Sequence, residues 1–198
     1  MTPIPALAAW LIAAYLAGAA PAGYIITKLL KGFDIRKHGS GNPGATNVFR
    51  VVGAGAGAAT LLFDFSKGFL PVFLAAKFFD NVTPLFLILT GLAAIAGHVW
   101  TVFLRFRGGK GVATGAGVFV ALMPLPALYA ACVFAAVLFA TRYVSVSSMT
   151  AAATLPLWAF LHGEPLSLIL FCALAAIIII ARHRSNITKL IAGTEGKI

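Results

Sequence analysis

Arg50, Lys110 and His183 each stand in a polar stretch of an otherwise apolar chain. The stretches read HGSGNPGATNVFR (His38 to Arg50), RFRGGKGVATG (Arg105 to Gly115) and RHRSNITKLIAGTEGK (Arg182 to Lys197). Glycine lets backbone N–H groups approach a ligand closely, and Arg and Lys neutralise negative charge. Three such stretches imply handling of an anion at a membrane face.

The first stretch reads as the entry to a helix, with Thr46 or Asn47 as its cap and its first turn open to an anion. Arg50 returns to the same helical face three or four residues later and offers a planar fork for phosphate oxygens. The second, Gly108-Gly109-Lys110-Gly111, is a glycine loop feeding a helix, with Lys110 as a point charge. The Walker spacing is absent and no strand precedes it, so phosphate binding is expected and nucleotide hydrolysis is not. In the third, His183 and Asn186 share a helical face. His183 has the chemistry to donate to a phosphate oxygen or to accept a proton. Glu195 is expected to pair with a neighbouring cation. Asp64 and Lys67 are expected to pair at the start of the second span. His98, inside the third, is expected to bond to backbone. The hydroxyls of Tyr143-Val144-Ser145-Val146-Ser147-Ser148 are expected to bond to their own helix.

The elements that carry these groups are membrane spans. Of 198 residues, 61% are hydrophobic and 10% charged, against about 25% charged in soluble domains. A span needs about 20 apolar residues. The pattern predicts an all-α, polytopic integral membrane protein forming one domain over 1–198. About seven transmembrane helices are expected: Ile4–Leu30, Leu61–Phe79, Pro84–Leu104, Val112–Met123, Leu125–Thr141, Val144–Leu161 and Leu166–Ala181. The segment before Leu30 lacks a basic leader and a cleavage pattern, so it reads as a retained span. Met123-Pro124-Leu125-Pro126 interrupts what would otherwise be one overlong helix. Thr46–Thr60, rich in Gly and Ala, reads as a half-helix or interfacial segment beside a polar cleft. The cysteines, Cys132 and Cys172, read as small hydrophobes, with no disulfide framework and no metal-ligand spacing.

There are 15 basic and 5 acidic residues, a net charge of +10. The charges lie between apolar spans, which argues against nucleic acid. With the N-terminus outside and seven crossings, fourteen of the 15 cations fall on the cytoplasmic side with the C-terminus. Only Lys77, beside Asp80, falls outside. All three polar stretches then share the cytoplasmic face.

Taken together, GSGNPGATNVFR at 39–50, DFSKG at 64–68, GHVWTVFLRFRGGKGVAT at 97–114 and RHRSNITKLIAGTEGK at 182–197 resemble the bacterial acyl-phosphate:glycerol-3-phosphate acyltransferase family, PlsY. The likeness covers nearly the whole chain in motif order. It implies a multi-pass enzyme of the bacterial inner membrane, acting in phospholipid biosynthesis. Such an enzyme moves an acyl group from acyl phosphate to the sn-1 hydroxyl of glycerol 3-phosphate, giving 1-acyl-glycerol 3-phosphate and phosphate. It implies Ser40, Arg50, Lys110, His183 and Asn186 as catalytic residues. Thr46, Asn47, Lys67, Gly108, Gly109, Gly111, Ser148 and Arg182 are the substrate-binding candidates, with the glycine loop on glycerol 3-phosphate and Glu195 structural. Thr101, Ser185 and Gly196 stand where the family often has Pro, Glu and Pro. The expected partners are acyl phosphate, glycerol 3-phosphate and membrane lipids, with no cofactor, metal or obligatory protein partner.

The residues also say which acyl chemistry to leave aside. The fifth residue after His98 is Phe103 and after His183 is Thr188, so the His-x4-Asp dyad of thioester-using acyltransferases is missing. No Ser-His-Asp arrangement stands out either. The expectation is a preactivated donor, electrostatic catalysis and no acyl-enzyme. A transporter for a phosphorylated small anion is the rival, although no internal repeat supports it. A structural binder of anionic lipid is the second rival.

Overall fold

The computed structural model describes residues 4–79 and 82–198; Asp80 lies outside them. Among the described residues there are helices and no strand. Contacts group the chain into two compact units, 1–122 and 123–198.

The first unit holds α1 (Ile4–Ala19), α2 (Ala22–Lys31), α3 (Ala45–Val51), α4 (Ala54–Phe78), α5 (Pro84–Val99) and α6 (Val112–Leu122). α1 packs on α5, and α4 packs on α3, α5 and α6. Both main pairings depend on missing side chains. A methyl on Gly18 would strike the Ala94 backbone, and one on Gly97 the Tyr15 carbonyl. A methyl on Gly68 would strike the Thr114 carbonyl, and one on Gly117 the Phe65 carbonyl. Small residues at helix contacts let backbones approach, the packing that works where lipid removes the hydrophobic drive.

The second unit holds α7 (Pro124–Thr141), α8 (Val144–Leu161), α9 (Leu166–Arg182) and α10 (Arg184–Ile191). α8 packs against both α7 and α9. Met123 leaves the helical region at φ −151° and ψ 81°, and Pro124 opens α7, as a residue preceding proline favours. α10 turns away from α9 by 55°.

Each expected span holds a helix, although Pro84–Leu104 leaves it at Trp100 and Thr101 before a 3-10 turn. Ile4–Leu30 is broken in two at Ala20-Pro21. Five helical segments are long and apolar enough to cross a bilayer by themselves, and a sixth is reached when α9 and α10, bent by 55°, are counted as one span. α6 has 11 residues, about 16 Å of helix against a hydrocarbon core of about 30 Å. Large apolar side chains such as Leu62, Phe139, Leu166 and Ile177 stand on the outside, as lipid-facing surfaces require.

Thr46–Thr60 corrects the expectation of one separate half-helix. Its first part is the seven-residue α3. Its second part is the opening of α4, which starts at Ala54 and not at Leu61. Gly53, at φ 128°, separates the two, a conformation open to glycine and strained for other residues. A methyl on Gly57 would strike Phe49 of α3, so the small residues there serve close packing.

Candidate functional site

In the first unit, Asn47 organises the loop before α3. Its Oδ1 accepts the Ser40 N–H at 2.9 Å, and its Nδ2 donates to the His38 and Asn42 carbonyls, both at 3.0 Å. Asn47 is 3% exposed. The helix cap is Gly44, without a side-chain bond, so neither Thr46 nor Asn47 caps it. Asn47 and Val48 donate their N–H groups to the Gly44 carbonyl, and Gly44 donates to Asn42 Oδ1 at 2.8 Å. The N–H groups of Gly44 and Asn47 are therefore engaged within the protein. Ser40 and Arg50 are exposed while Thr46 is half-buried. Upstream, Asp34 accepts from Arg36 through both oxygens, the shortest contact being 2.7 Å, and from the Arg36 N–H at 2.9 Å. The Arg36 side chain holds the Asp34 carboxyl below the usual carboxylate range.

The glycine loop follows α5 and a single 3-10 turn, Val102–Leu104. Arg105 and Phe106 both take positive φ, 54° and 61°. Gly108 and Gly109 then fold back onto α5. Gly108 donates to the Val99 carbonyl at 3.2 Å, and Gly109 donates to the His98 carbonyl at 3.1 Å. Gly108, Gly109 and Gly111 are buried and Lys110 is half-buried. Gly111, at φ 84°, turns the chain into α6. Thr101 Oγ1 donates to the Ala19 carbonyl at 2.6 Å and accepts the Phe103 N–H at 3.3 Å. The hydroxyl thus does work that proline at this position would not.

Beneath this loop lies a buried ionic cluster. Lys67 Nζ pairs with Asp64 Oδ1 at 2.7 Å and donates to the Ala20 carbonyl at 2.8 Å. His98 Nδ1 faces the same Asp64 oxygen at 3.6 Å. The Asp64–Lys67 pairing agrees with expectation, but its place does not. α4 begins seven residues earlier than expected, so the pair sits near the middle of the helix. A mid-membrane charge costs roughly 2.5–3.5 kcal/mol on insertion scales, and the partners on both sides offset this. The His98 ring faces a carboxylate, not the backbone carbonyl expected of it. A cavity of about 10 Å³ lies here, lined by Asp64, Lys67, His98, Gly108 and Gly109 among others. It has room for about one water. An apolar groove of about 380 Å³ runs along α1 and α4, lined by Trp10, Ala13, Ala17, Phe63, Leu70 and Leu74, with Ala20 and Lys67 also on its wall.

In the second unit, the bend between α9 and α10 falls at His183, which is 2% exposed. Its Nδ1 lies 2.8 Å from the Ile179 carbonyl. A carbonyl can only accept, so Nδ1 carries a proton. Asn186 Nδ2 donates to Glu195 Oε1 at 2.6 Å, and Ser145 Oγ donates to the same oxygen at 2.9 Å. Glu195 therefore holds an amide and a hydroxyl, not the cation expected. Ser147 and Ser148 do bond to their own helix, to Tyr143 and Val144 at 2.8 and 2.7 Å. Arg182 closes α9 and is half-buried. Among the described residues no group of three His, Cys, Asp or Glu could hold a metal ion.

The structure thus brings Ser40, Asn47, Thr46 and Arg50 into one loop and helix, and packs Gly108 and Gly109 against His98 near Lys67. His183, Asn186, Ser145 and Glu195 gather around the α9–α10 bend. Sequence reasoning missed the Asp64–His98 approach and the Glu195 fork. The spacing of Asp64 and Lys67 was a signal for their pair; nothing local links either to His98, 34 residues from Asp64.

The family model described as glycerol-3-phosphate acyltransferase matches residues 8–193. A glycerol-3-phosphate acyltransferase of Endomicrobium trichonymphae is 46% identical over 189 residues, 96% of this chain and 94% of that protein. One from Trichlorobacter lovleyi is 48% identical over 188 residues, 95% of each. The crystal structure of PlsY, an integral membrane glycerol 3-phosphate acyltransferase, in its glycerol 3-phosphate form superposes with a TM-score of 0.92. Its identity is 41%, with coverage of 98% of this chain and 96% of that one. The lysophosphatidic acid form superposes with a TM-score of 0.89 at 40% identity, covering 98% and 95%.

Proposed function

This chain belongs to the glycerol-3-phosphate acyltransferase family, and from that premise we propose that its acyl donor is an acyl phosphate. The enzyme is a multi-pass membrane acyltransferase of phospholipid synthesis. In the proposed reaction the sn-1 hydroxyl oxygen of glycerol 3-phosphate attacks the donor's carbonyl carbon. A new ester C–O bond forms and the C–O bond to phosphate breaks. Phosphate leaves with the electron pair and takes up the hydroxyl proton. The products are 1-acyl-glycerol 3-phosphate and inorganic phosphate, and no acyl-enzyme intervenes.

The observation that carries this reading is the environment of His183. Its Nδ1 rests on a backbone carbonyl at 2.8 Å, not on a carboxylate as in a nucleophile-activating triad. Ser145, the serine bonded to a carboxylate, is linked to Glu195 without an intervening imidazole. His183 then serves through Nε2 to orient the acceptor hydroxyl, and the donor's own phosphate receives the proton. The solved relatives, in a glycerol 3-phosphate form and a lysophosphatidic acid form, support the acceptor and the product.

The remaining task is electrostatic, because both substrates carry phosphate. Two unit charges 4 Å apart interact by about 4 kcal/mol at an effective dielectric of 20, so several cations are required. Arg50, Lys110 and Arg182 serve the phosphates, with Ser40 as a hydroxyl donor. Thr46 lines the same turn as Arg50, Ser148 serves the acceptor, and Gly111 lets the loop turn. Asn47 and Asn186 have their amides engaged within the protein, which favours roles in shaping the site over direct oxyanion contact. Lys67, paired with Asp64, supports from beneath. The apolar groove along α1 and α4 suits the donor's tail.

We place the whole chain, as one catalytic domain, in the bacterial inner membrane with these residues facing the cytoplasm and no obligatory protein partner. The test is turnover with radiolabelled palmitoyl phosphate. His183→Gln is expected to lower kcat at least about tenfold with the fold intact. Palmitoyl phosphate alone is expected to leave no label on the protein. Near-normal turnover by His183→Gln, or an acyl-protein that glycerol 3-phosphate discharges, contradicts this mechanism.

A further inference from the structure

We propose that His98 is a positioning residue, a wedge that sets the place of the glycine loop and so of Lys110. The ring is held from one side and presses on the loop from the other. On the held side, Nδ1 faces Asp64 Oδ1 at 3.6 Å, and Asp64 is fixed by Lys67 at 2.7 Å. Lys67 in turn is fixed to the Ala20 carbonyl, where α1 gives way to α2. On the pressing side, the ring meets Gly109. A methyl built on Gly109 would overlap Nε2, and its three nearest atoms all belong to the His98 ring.

The backbone of the same residue closes the contact, since the Gly109 N–H donates to the His98 carbonyl at 3.1 Å. Lys110 is the next residue, so any shift of Gly109 moves the loop's cation. Gly109 does not need its freedom of φ, because its φ lies outside the positive range that Gly111 adopts. What excludes a side chain at 109 is the ring. Gly108 differs. A methyl there would strike the His98 and Val99 carbonyls, which no change of the His98 side chain can remove.

This difference gives the test, which rests on the proposed substrates for its kinetic arm. Gly109→Ala is expected to raise KM for glycerol 3-phosphate about tenfold or more, because small misplacements at a binding loop are expensive. Adding His98→Ala vacates the ring and is expected to recover about threefold or more of that loss. Gly108→Ala is expected to show no such recovery. His98→Ala alone is expected to raise the same KM while leaving that for acyl phosphate within about twofold. The paired rescue tests the contact, and the separation of the KM for glycerol 3-phosphate from that for acyl phosphate tests the positioning role.

A second measurement is independent of any substrate. Amide exchange in detergent is expected to quicken in residues 105–112 of His98→Ala, with α7 to α9 unchanged. If wild-type protein made no product, the functional reading would fail and the exchange arm would still decide this one. Strictly additive effects of the 98 and 109 substitutions would overturn the proposal. So would unchanged exchange at 105–112 in His98→Ala.

Discussion

Asn47 Oδ1 accepts the Ser40 N–H at 2.9 Å across seven residues, while the same side chain donates to the carbonyls of His38 and Asn42. One buried amide thus ties the loop on which Ser40 stands to the helix that carries Arg50. Asn47→Asp keeps the acceptor but turns the donor into a second oxygen facing two carbonyls. An unsatisfied buried group costs about 1–3 kcal/mol, more when charged. The expected result is a lower melting temperature and a fall in kcat of about tenfold or more. Paired thermal unfolding and turnover assays check it.

Glu195 Oε1 is shared by Asn186 and Ser145 at 2.6 and 2.9 Å. Glu195→Gln retains an acceptor oxygen, and activity is expected to stay within about threefold of wild type. Glu195→Ala removes it, and a loss of about tenfold or more is expected, in line with hydrogen bonds to charged groups contributing about 1.5–3 kcal/mol. Initial rates of the two variants side by side make the comparison.

Ala17 lines the apolar groove along α1 and α4. Ala17→Phe narrows the groove without adding a polar group. If the donor's tail lies there, KM for palmitoyl phosphate rises at least about fivefold while a short-chain donor is spared, each lost methylene contact contributing about 0.8 kcal/mol. Equal effects on long and short donors would remove the tail from this groove.

The Arg36 guanidinium, bonded to both Asp34 oxygens, lowers the Asp34 pKa, while partial burial opposes it. A carboxyl whose pKa is lower in the folded state adds stability above its unfolded value, about 3.9. That stability disappears as pH falls through the folded value. Asp34→Asn is therefore expected to melt below wild type at pH 6, with the gap closing as pH drops below about 4. Melting curves across that range read the effect.

The sequence made most helices legible because lipid imposes one rule, about 20 apolar residues per crossing, and five helical segments obey it while the 11-residue α6 does not. The boundary of α4 was not legible. Val-Gly-Ala-Gly-Ala-Gly-Ala-Ala has weak helix propensity, and its helical start depends on tertiary packing such as that of Gly57 on Phe49. In the candidate site, residue types marked which loops carry the polar and cationic groups. Their partners were hidden, because Asp64 meets His98 and Ser145 meets Glu195 through contacts between elements distant in sequence. The cation expected beside Glu195 gave way to an amide and a hydroxyl for the same reason. Charge arithmetic along a chain does not reveal which donor the fold brings closest.

The account's central claim is the nature of the donor. Purified protein in detergent, supplied with glycerol 3-phosphate and either palmitoyl phosphate or palmitoyl coenzyme A, is assayed for lysophosphatidic acid and phosphate. The account predicts one phosphate released per lysophosphatidic acid formed from palmitoyl phosphate, and no product from the thioester. Product from the thioester alone, or none from palmitoyl phosphate with the protein folded, would contradict it.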